Sequence, residues 1–449
     1  MGSDNLSQPK DKGWLYHPKF PDHWKRCSLY SMARWVNGLA FRDIQFSTAG
    51  RPIIKIAEIK GGISGQTKFT EQSFDESVRV KEGDLLFSWS GQPETSIDAF
   101  WWKGPEGWLN QHVFRVTPAD GIDPTFLFFT LRYLKPHFVG IARNKQTTGL
   151  GHVTKRDLQN IESAYPDLPE QRAISEVLGT LDDKIDTSRK MNKTLEAMAR
   201  AIFKAWFIDF EPVKAKVAGR KEFHGMPQEL FDQLPDRLVE TEWGHIPEGY
   251  ELVNLDELVE VNPKRALKKG DPAPYLPMSE MPTRGHAPGS WEIREYGSGM
   301  RFVNGDTLVA RITPCLENGK TAFVDFLPDG SVGWGSTEYI VLRPRPPLPD
   351  AYAYCLARSL PFRDFAIKNM TGTSGRQRVP ASAIAGFKVV APGKKLAEAF
   401  ADVVGPLFAM SSANHSEMRT LAAIRDALLL KLMSGSIRVP DVLGGANGA

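Results

Sequence analysis

Glu170-Gln171-Arg172-Ala173-Ile174-Ser175-Glu176-Val177-Leu178-Gly179-Thr180-Leu181-Asp182-Asp183-Lys184-Ile185 opens a stretch that runs to Phe207 with no proline and Gly179 as its only glycine. Apolar or small residues recur along it at alternating spacings of four and three: Ile174, Leu178, Leu181, Ile185, Ser188, Asn192, Leu195, Ala199, Ile202 and Trp206. That is the 3.5-residue period of a coiled-coil seam. At 1.5 Å per residue, about 38 residues make a helix about 57 Å long, too long to lie on one small domain. Leu396, Phe400, Val404, Leu407, Ser411, Asn414, Met418, Leu421, Leu428 and Leu432 repeat the pattern near the end of the chain. Two such helices most simply bury their seams against each other as an antiparallel pair. Ile174, Leu178, Leu181, Ile185, Asn192, Leu195 and Ile202 are then expected to face Phe400, Leu407, Asn414, Leu421 and Leu428. Ser188, Asn192, Ser411 and Asn414 place polar groups mid-seam, where they commonly fix register at some cost in stability.

The second helix belongs to a longer duplication. Phe20-Pro21-Asp22-His23-Trp24 corresponds to Ile246-Pro247-Glu248-Gly249-Tyr250, an offset of 247 − 21 = 226. Gln111-His112-Val113-Phe114 matches Thr337-Glu338-Tyr339-Ile340 at the same offset. It then holds for Val153 with Val379, Leu158 with Ile384, Pro166 with Pro392 and Leu195 with Leu421. Between these points Lys81-Glu82-Gly83-Asp84 pairs with Val303-Asn304-Gly305-Asp306 at 222, so insertions cancel inside each copy. A period this long is a tandem domain duplication and not a solenoid.

Each copy opens with a mixed α/β domain. Short β-rich runs such as Asp84-Leu85-Leu86-Phe87-Ser88-Trp89 are bounded by Gly and Pro. Asp123-Pro124 reads as an N-cap followed by proline, opening a helix through about Ile141. The division expected is an N-terminal tail over 1–19, a domain over 20–165 and a long helix over 166–208. A linker over 209–245, a second domain over 246–392, a second long helix over 393–436 and a tail over 437–449 follow. The linker, with Lys214, Lys216, Arg220 and Lys221 and several prolines, reads as a strap with little core of its own.

The 449 residues exceed what one ordinary core organises. At 41% hydrophobic and 24% charged, the composition is that of a soluble globular protein. No stretch approaches the roughly 20 apolar residues of a membrane helix, and the start carries no signal-peptide pattern. Cys27, Cys315 and Cys355 are scattered without metal spacing, which fits a reducing cytoplasm. The net charge of +3 permits nucleic-acid binding without demonstrating it.

Leu168-Pro169-Glu170-Gln171-Arg172-Ala173-Ile174, with Leu178-Gly179-Thr180-Leu181-Asp182-Asp183-Lys184-Ile185, resembles the junction between the first recognition domain and the central helix of type I restriction–modification DNA-specificity subunits. Ala205-Trp206-Phe207-Ile208-Asp209-Phe210-Glu211-Pro212-Val213 resembles the end of that helix. Arg425-Asp426-Ala427-Leu428-Leu429-Leu430-Lys431-Leu432-Met433-Ser434-Gly435 resembles the close of the second. Ile246-Pro247-Glu248-Gly249-Tyr250 resembles the entry to a recognition domain. The departure is Pro392-Gly393-Lys394-Lys395, which lacks the Pro-Glu-Gln core of the first junction.

The resemblance implies an α+β architecture: two similar mixed α/β target-recognition domains separated by two long antiparallel coiled-coil helices, related by a pseudo-two-fold axis. It implies double-stranded DNA as ligand and two modification subunits as partners, with restriction subunits able to join. S-adenosylmethionine is expected on the modification subunit and no cofactor on this chain. Because the two domains differ in sequence, the half-sites should differ, giving an asymmetric bipartite target, with the helical pair setting the unread spacer.

Base reading needs side chains that hydrogen-bond to groove edges and cations that reach phosphates. In the first copy the candidates are Ser88, Ser90 and Gln92 after a β-like run, and Arg143, Lys145, Gln146 and Thr148 after the predicted helix. In the second they are Arg311, Thr313, Asn318 and Lys320, then Lys368, Arg376, Gln377 and Arg378. Gly, Thr and Asn also favour ordinary solvated turns. No catalytic residues are expected. Asn262-Pro263-Lys264-Arg265 lacks the second proline and aromatic of an adenine-methyltransferase motif, and no Walker loop or zinc-ligand spacing is present. Two other readings compete: a DNA-modifying enzyme with a divergent catalytic domain, and a coiled-coil adaptor that binds no DNA.

Overall fold

The computed structural model describes residues 19–145, 149–242 and 244–439. The outer parts of both expected tails, 1–18 and 440–449, lie outside the described residues. The chain forms two compact units: one of residues 1–184 and 421–449, the other of residues 185–420. The helices Leu168–Phe203 and Lys394–Met433 each contribute to both.

In the first unit, strands Ala33–Asn37, Val113–Pro118, Leu85–Ser88 and Asp98–Trp101 lie side by side, antiparallel, in that order. A second sheet runs Phe69–Thr70, Arg51–Ile54, Gly107–Leu109, Arg79–Val80, with its central pair parallel. Lys25–Ser28 pairs with Glu162–Tyr165. The second unit repeats this order. Its first sheet is Val259–Val261, Tyr339–Pro344, Thr307–Ala310, Thr321–Phe323. Its second is Glu292–Glu295, Pro272–Leu276, Gly333–Gly335, Met300–Phe302, again with a parallel central pair. Leu252–Asn254 pairs with Lys388–Val390. The backbone bond from Leu29 to Ile161 recurs as Leu255 to Phe387, and the offset of 226 applies to both ends.

Asp123 caps a helix as expected, its carboxylate accepting from the backbone N–H of Thr125 and Phe126. That helix ends at Tyr133, and a second, Lys135–Asn144, begins at once. The expectation of one helix through Ile141 is corrected by Pro136, which lacks an N–H and restarts the helix near its own N-terminus.

The linker expectation also fails. Residues 209–245 carry helices Glu211–Val217 and Gln228–Gln233. Phe210, Val213, Met226, Leu230, Phe231 and Leu234 are buried in the same core as Trp206, Phe207 and Phe400. Lys216 Nζ donates to the carbonyls of Asp232 (2.7 Å) and Leu234 (2.5 Å) and closes the segment on itself. Short helices between prolines read as loop because each is too brief to display a period.

The two long helices pack antiparallel within each unit. In the first unit Ile174 and Leu178 share a core with Leu429, Leu432 and Met433, and Arg425 Nη1 donates to Asp182 Oδ1 at 2.5 Å. In the second, Phe203 and Phe207 meet Phe400, with ring centroids 6.0 and 4.9 Å apart. The expected seam residues Ile174, Leu178, Ile185, Asn192, Leu195 and Phe400 are buried. Leu181, Ile202, Leu407, Asn414, Leu421 and Leu428 are half-buried. Phe203, Phe408 and Leu429 take the deeper places beside Ile202, Leu407 and Leu428. Toward its ends each helix also packs into a domain core, so the apolar stripe is wider than a two-position seam.

Contrary to the expectation that no stretch approaches a membrane span, Lys394–Met433 holds an 18-residue window of mean hydropathy 1.2, long and apolar enough to cross a bilayer. Part of that helix is core: Leu396, Ala397, Phe400, Val404 and Phe408 are buried in the second unit, and 33% of the window is buried in all.

Asn192 is the polar centre of the pairing. Its Nδ2 donates to the Ser411 carbonyl at 3.2 Å, and Asn414 Nδ2 donates to its Oδ1 at 2.7 Å. His415 Nδ1 lies 2.8 Å from the same carbonyl, and its ring is 4.9 Å from that of His286. Burial and then the charge of His286 hold the His415 imidazole below its ordinary pKa, against the nearby Asp325; Arg419 also faces it. The unfolded chain therefore binds this proton at higher pH than the folded one, so stability falls as pH drops from the ordinary imidazole value through the depressed one. We expect the thermal midpoint to fall between pH 7 and 5, and to fall less in His415→Gln. Identical pH slopes for the two proteins would contradict this assignment.

Candidate nucleic-acid interface

The first sheet of each unit ends in the same small frame. In the first unit Trp89 N–H donates to the His112 carbonyl (3.2 Å), and Val153 N–H donates to the Trp89 carbonyl (2.9 Å). In the second, Arg311 N–H donates to Glu338 (3.0 Å) and Val379 N–H to Arg311 (2.9 Å). The offsets are 311 − 89 = 222, 338 − 112 = 226 and 379 − 153 = 226, those of the repeat. Ser90 bridges His152 as Ile312 bridges Arg378. Gly91 in the first frame has φ 132, and a Cβ there would come within 2.6 Å of the Ser96 side chain.

The two frames present different chemistry. In the first, the Trp89 ring lies 5.6 Å from His112 and 5.9 Å from His152, and its Nε1 donates to Asn37 Oδ1 at 2.9 Å. Ser90 Oγ is 2.9 Å from His152 Nδ1. Burial, and then His152, lower the His112 pKa. In the second, Arg378 grips Glu338: Nε lies 2.9 Å from both carboxylate oxygens and Nη2 lies 2.7 Å from one. Those bonds raise the Arg378 pKa further.

The sequence candidates divide around these frames. Ser88 is a correction: it is fully buried, on a strand whose four residues are all interior, and cannot reach a ligand. Ser90 is buried but holds His152, and Gln92 is exposed at the start of a one-turn helix. Arg143 and Lys145 are exposed, but each is paired, with Glu94 (2.6 Å) and Asp157 (2.5 Å). The Arg143 hydrogen bond holds the Glu94 carboxyl below its usual range. Gln146 and Thr148 lie outside the described residues.

In the second unit Lys320 is a second correction, because its ammonium donates to the Met278 carbonyl (2.6 Å) and so holds a turn. Arg311 and Thr313 are half-buried, and Gln377 receives the Thr313 N–H at its backbone carbonyl. Asn318, Lys368 and Arg376 are exposed. Among the described residues Lys368 and Arg376 form no ion pair. Sequence reasoning missed Asn37, His112, His152 and Glu338. The signal was present: His112 and Glu338 align in the repeat, and so do the residues just before Val153 and Val379.

Among the described residues no group of three or more His, Cys, Asp and Glu is arranged to hold a metal ion.

Residues 21–197 match the model of the type I restriction modification DNA specificity domain. The chain is 25% identical over 352 residues to the type I restriction enzyme MjaIX specificity subunit of Methanocaldococcus jannaschii, covering 74% of this chain and 73% of that one. It is 22% identical over 484 residues to the HindI specificity subunit of Haemophilus influenzae, covering 92% and 99%. Among solved structures it is similar to the type I restriction–modification S subunit from M. genitalium, with 14% identity, a TM-score of 0.47 and coverage of 91% and 96%.

Exposed, unpaired cations on a nucleic-acid interface act through phosphates, so their removal should weaken binding alike on all sequences. Lys368→Ala and Arg376→Ala are each expected to reduce the slope of log affinity against log salt by about 0.9. A salt titration by fluorescence anisotropy measures this, and an unchanged slope would remove that residue from the interface.

Proposed function

We propose that the chain is a type I restriction–modification DNA-specificity subunit and that each of its units reads one half of a bipartite DNA target while other subunits perform the chemistry. The observation that supports this most is the repeated frame: one set of backbone hydrogen bonds, built twice, carrying Trp89, Ser90, His112 and His152 once and Arg311, Ile312, Glu338 and Arg378 the second time. A shared scaffold with unlike side chains is what two similar readers of unlike sequences require, since groove-edge hydrogen bonds distinguish the bases.

The specificity subunit is the non-catalytic member of its complex. Methyl transfer to adenine is assigned in this proposal to two modification subunits that bring S-adenosylmethionine, seated on the helical pair, in the cytoplasm. Restriction subunits joining the same assembly would add cleavage. The half-sites are asymmetric because the frames differ, and the length of the paired helices sets the spacer between them.

Replacing residues 20–165 with the equivalent domain of another specificity subunit tests the division of labour. Selection from randomised duplexes by the reconstituted complex should then show one altered half-site, one unaltered half-site and the same spacer. Change in both halves, or in neither, would contradict the proposal.

A further inference from the structure

We propose that Arg378, held by Glu338, reads a guanine from the major groove in the half-site bound by the second unit. The inference rests on the DNA-reading function above and assigns one base to one side chain.

A guanidinium carries five N–H donors in a rigid plane. Glu338 takes two of them, one from Nε and one from Nη2, as a side-on pair. The Arg376 carbonyl takes a third, from Nη1, at 3.0 Å. Among the described residues that leaves one N–H on Nη1 and one on Nη2, which together form the terminal edge of the fork. Two parallel donors at that spacing match the O6 and N7 acceptors of guanine, the pairing by which arginine most often recognises a base. The side chain is 40% exposed, so the edge is not sealed inside the protein.

Glu338 supplies what a free surface arginine lacks. It fixes the plane of the fork before DNA arrives, which removes most of the cost of ordering a long side chain on binding. The backbone around Arg378 is equally fixed, since its N–H and carbonyl both pair with Thr371 while it also bridges Ile312. Its counterpart in the first unit is His152 (378 − 226), held by Ser90 instead of by a carboxylate. At one backbone position, then, each unit holds a different polar side chain in place through a partner within the same frame. Arg376, exposed and without such a partner, suits a phosphate and not a base.

The test uses the full chain assembled with its modification subunits. A randomised duplex pool first defines both half-sites. Each guanine in the second half-site is then replaced, one at a time, by 7-deazaguanine, which lacks the N7 acceptor. One such replacement should weaken wild-type binding about fivefold or more. The same replacement should leave Arg378→Met unaffected, because methionine keeps most of the side chain's length and has no donor for N7. Glu338→Gln, which loosens the grip while leaving the arginine, should show a reduced but present N7 effect. The wild-type scan is decisive by itself should either variant fail to fold. A second half-site without guanine, a scan without N7 dependence, or an Arg378→Met protein as N7-sensitive as the wild type would each overturn the assignment, even with sequence-specific binding intact. A complex with no sequence preference in either half would overturn it together with the reading beneath it.

Discussion

Asn192 in the middle of the chain and Ser411 near its end are 219 positions apart, yet the amide of one bonds the backbone of the other inside a buried helical seam. The pairing of a central helix with a terminal one is the constraint on which the rest depends. The first unit is not a continuous piece of chain, and the second begins and ends inside the two long helices. The first needs residues beyond 420 to complete its core, and the second needs both helices to cover its own. Ile174, Leu178, Leu429 and Leu432 sit in one cluster with Phe126 and Phe129 of the first domain. Phe203 and Phe400 sit in one cluster with Tyr352 and Leu356 of the second. Seam and domain core therefore stand or fall together in each unit. A fully buried leucine or phenylalanine contributes about 1.5–3 kcal/mol, against about 0.5–1.5 kcal/mol net for a hydrogen bond. Adhesion thus comes from the apolar residues, while Asn192, with Asn414 and the Ser411 carbonyl, sets register.

On this base the duplication separates support from reading. The sheet orders, the parallel central pairs and the frame hydrogen bonds are the same in both units. Side chains at the frame are not: a set of Trp, Ser and His in one, an Arg–Glu–Arg set in the other. The cations differ as well. Arg143 and Lys145 are tied to carboxylates in the first unit, whereas Lys368 and Arg376 are open in the second.

The long helices and the duplication were legible because they rest on long patterns: a heptad period over tens of residues, and an offset that returns to 226 after each insertion. Features defined by a few residues were not. Ser88 followed a run that looked like strand, but Leu85–Ser88 is buried on both faces, so no alternation marked its side chain as interior. The core of the 209–245 segment is six apolar residues scattered among prolines and charges, without a period to announce it. Arg378 was a visible candidate, but its partner Glu338 lies 40 positions away and joins it only once the strands are in place. Lys320 looked like a DNA-facing cation and proved to hold a turn, a distinction that only the positions of the Met278 and Ser279 carbonyls decide.

The central claim is that this chain alone chooses where its complex acts, through two unlike readers at a set separation. Mapping modified adenines across the genome, in cells with and without the chain, tests that most directly. The account predicts one asymmetric two-part motif with a constant unread spacer, present in the first cells and absent from the second. A motif that persists without the chain, or one that is palindromic, would contradict it.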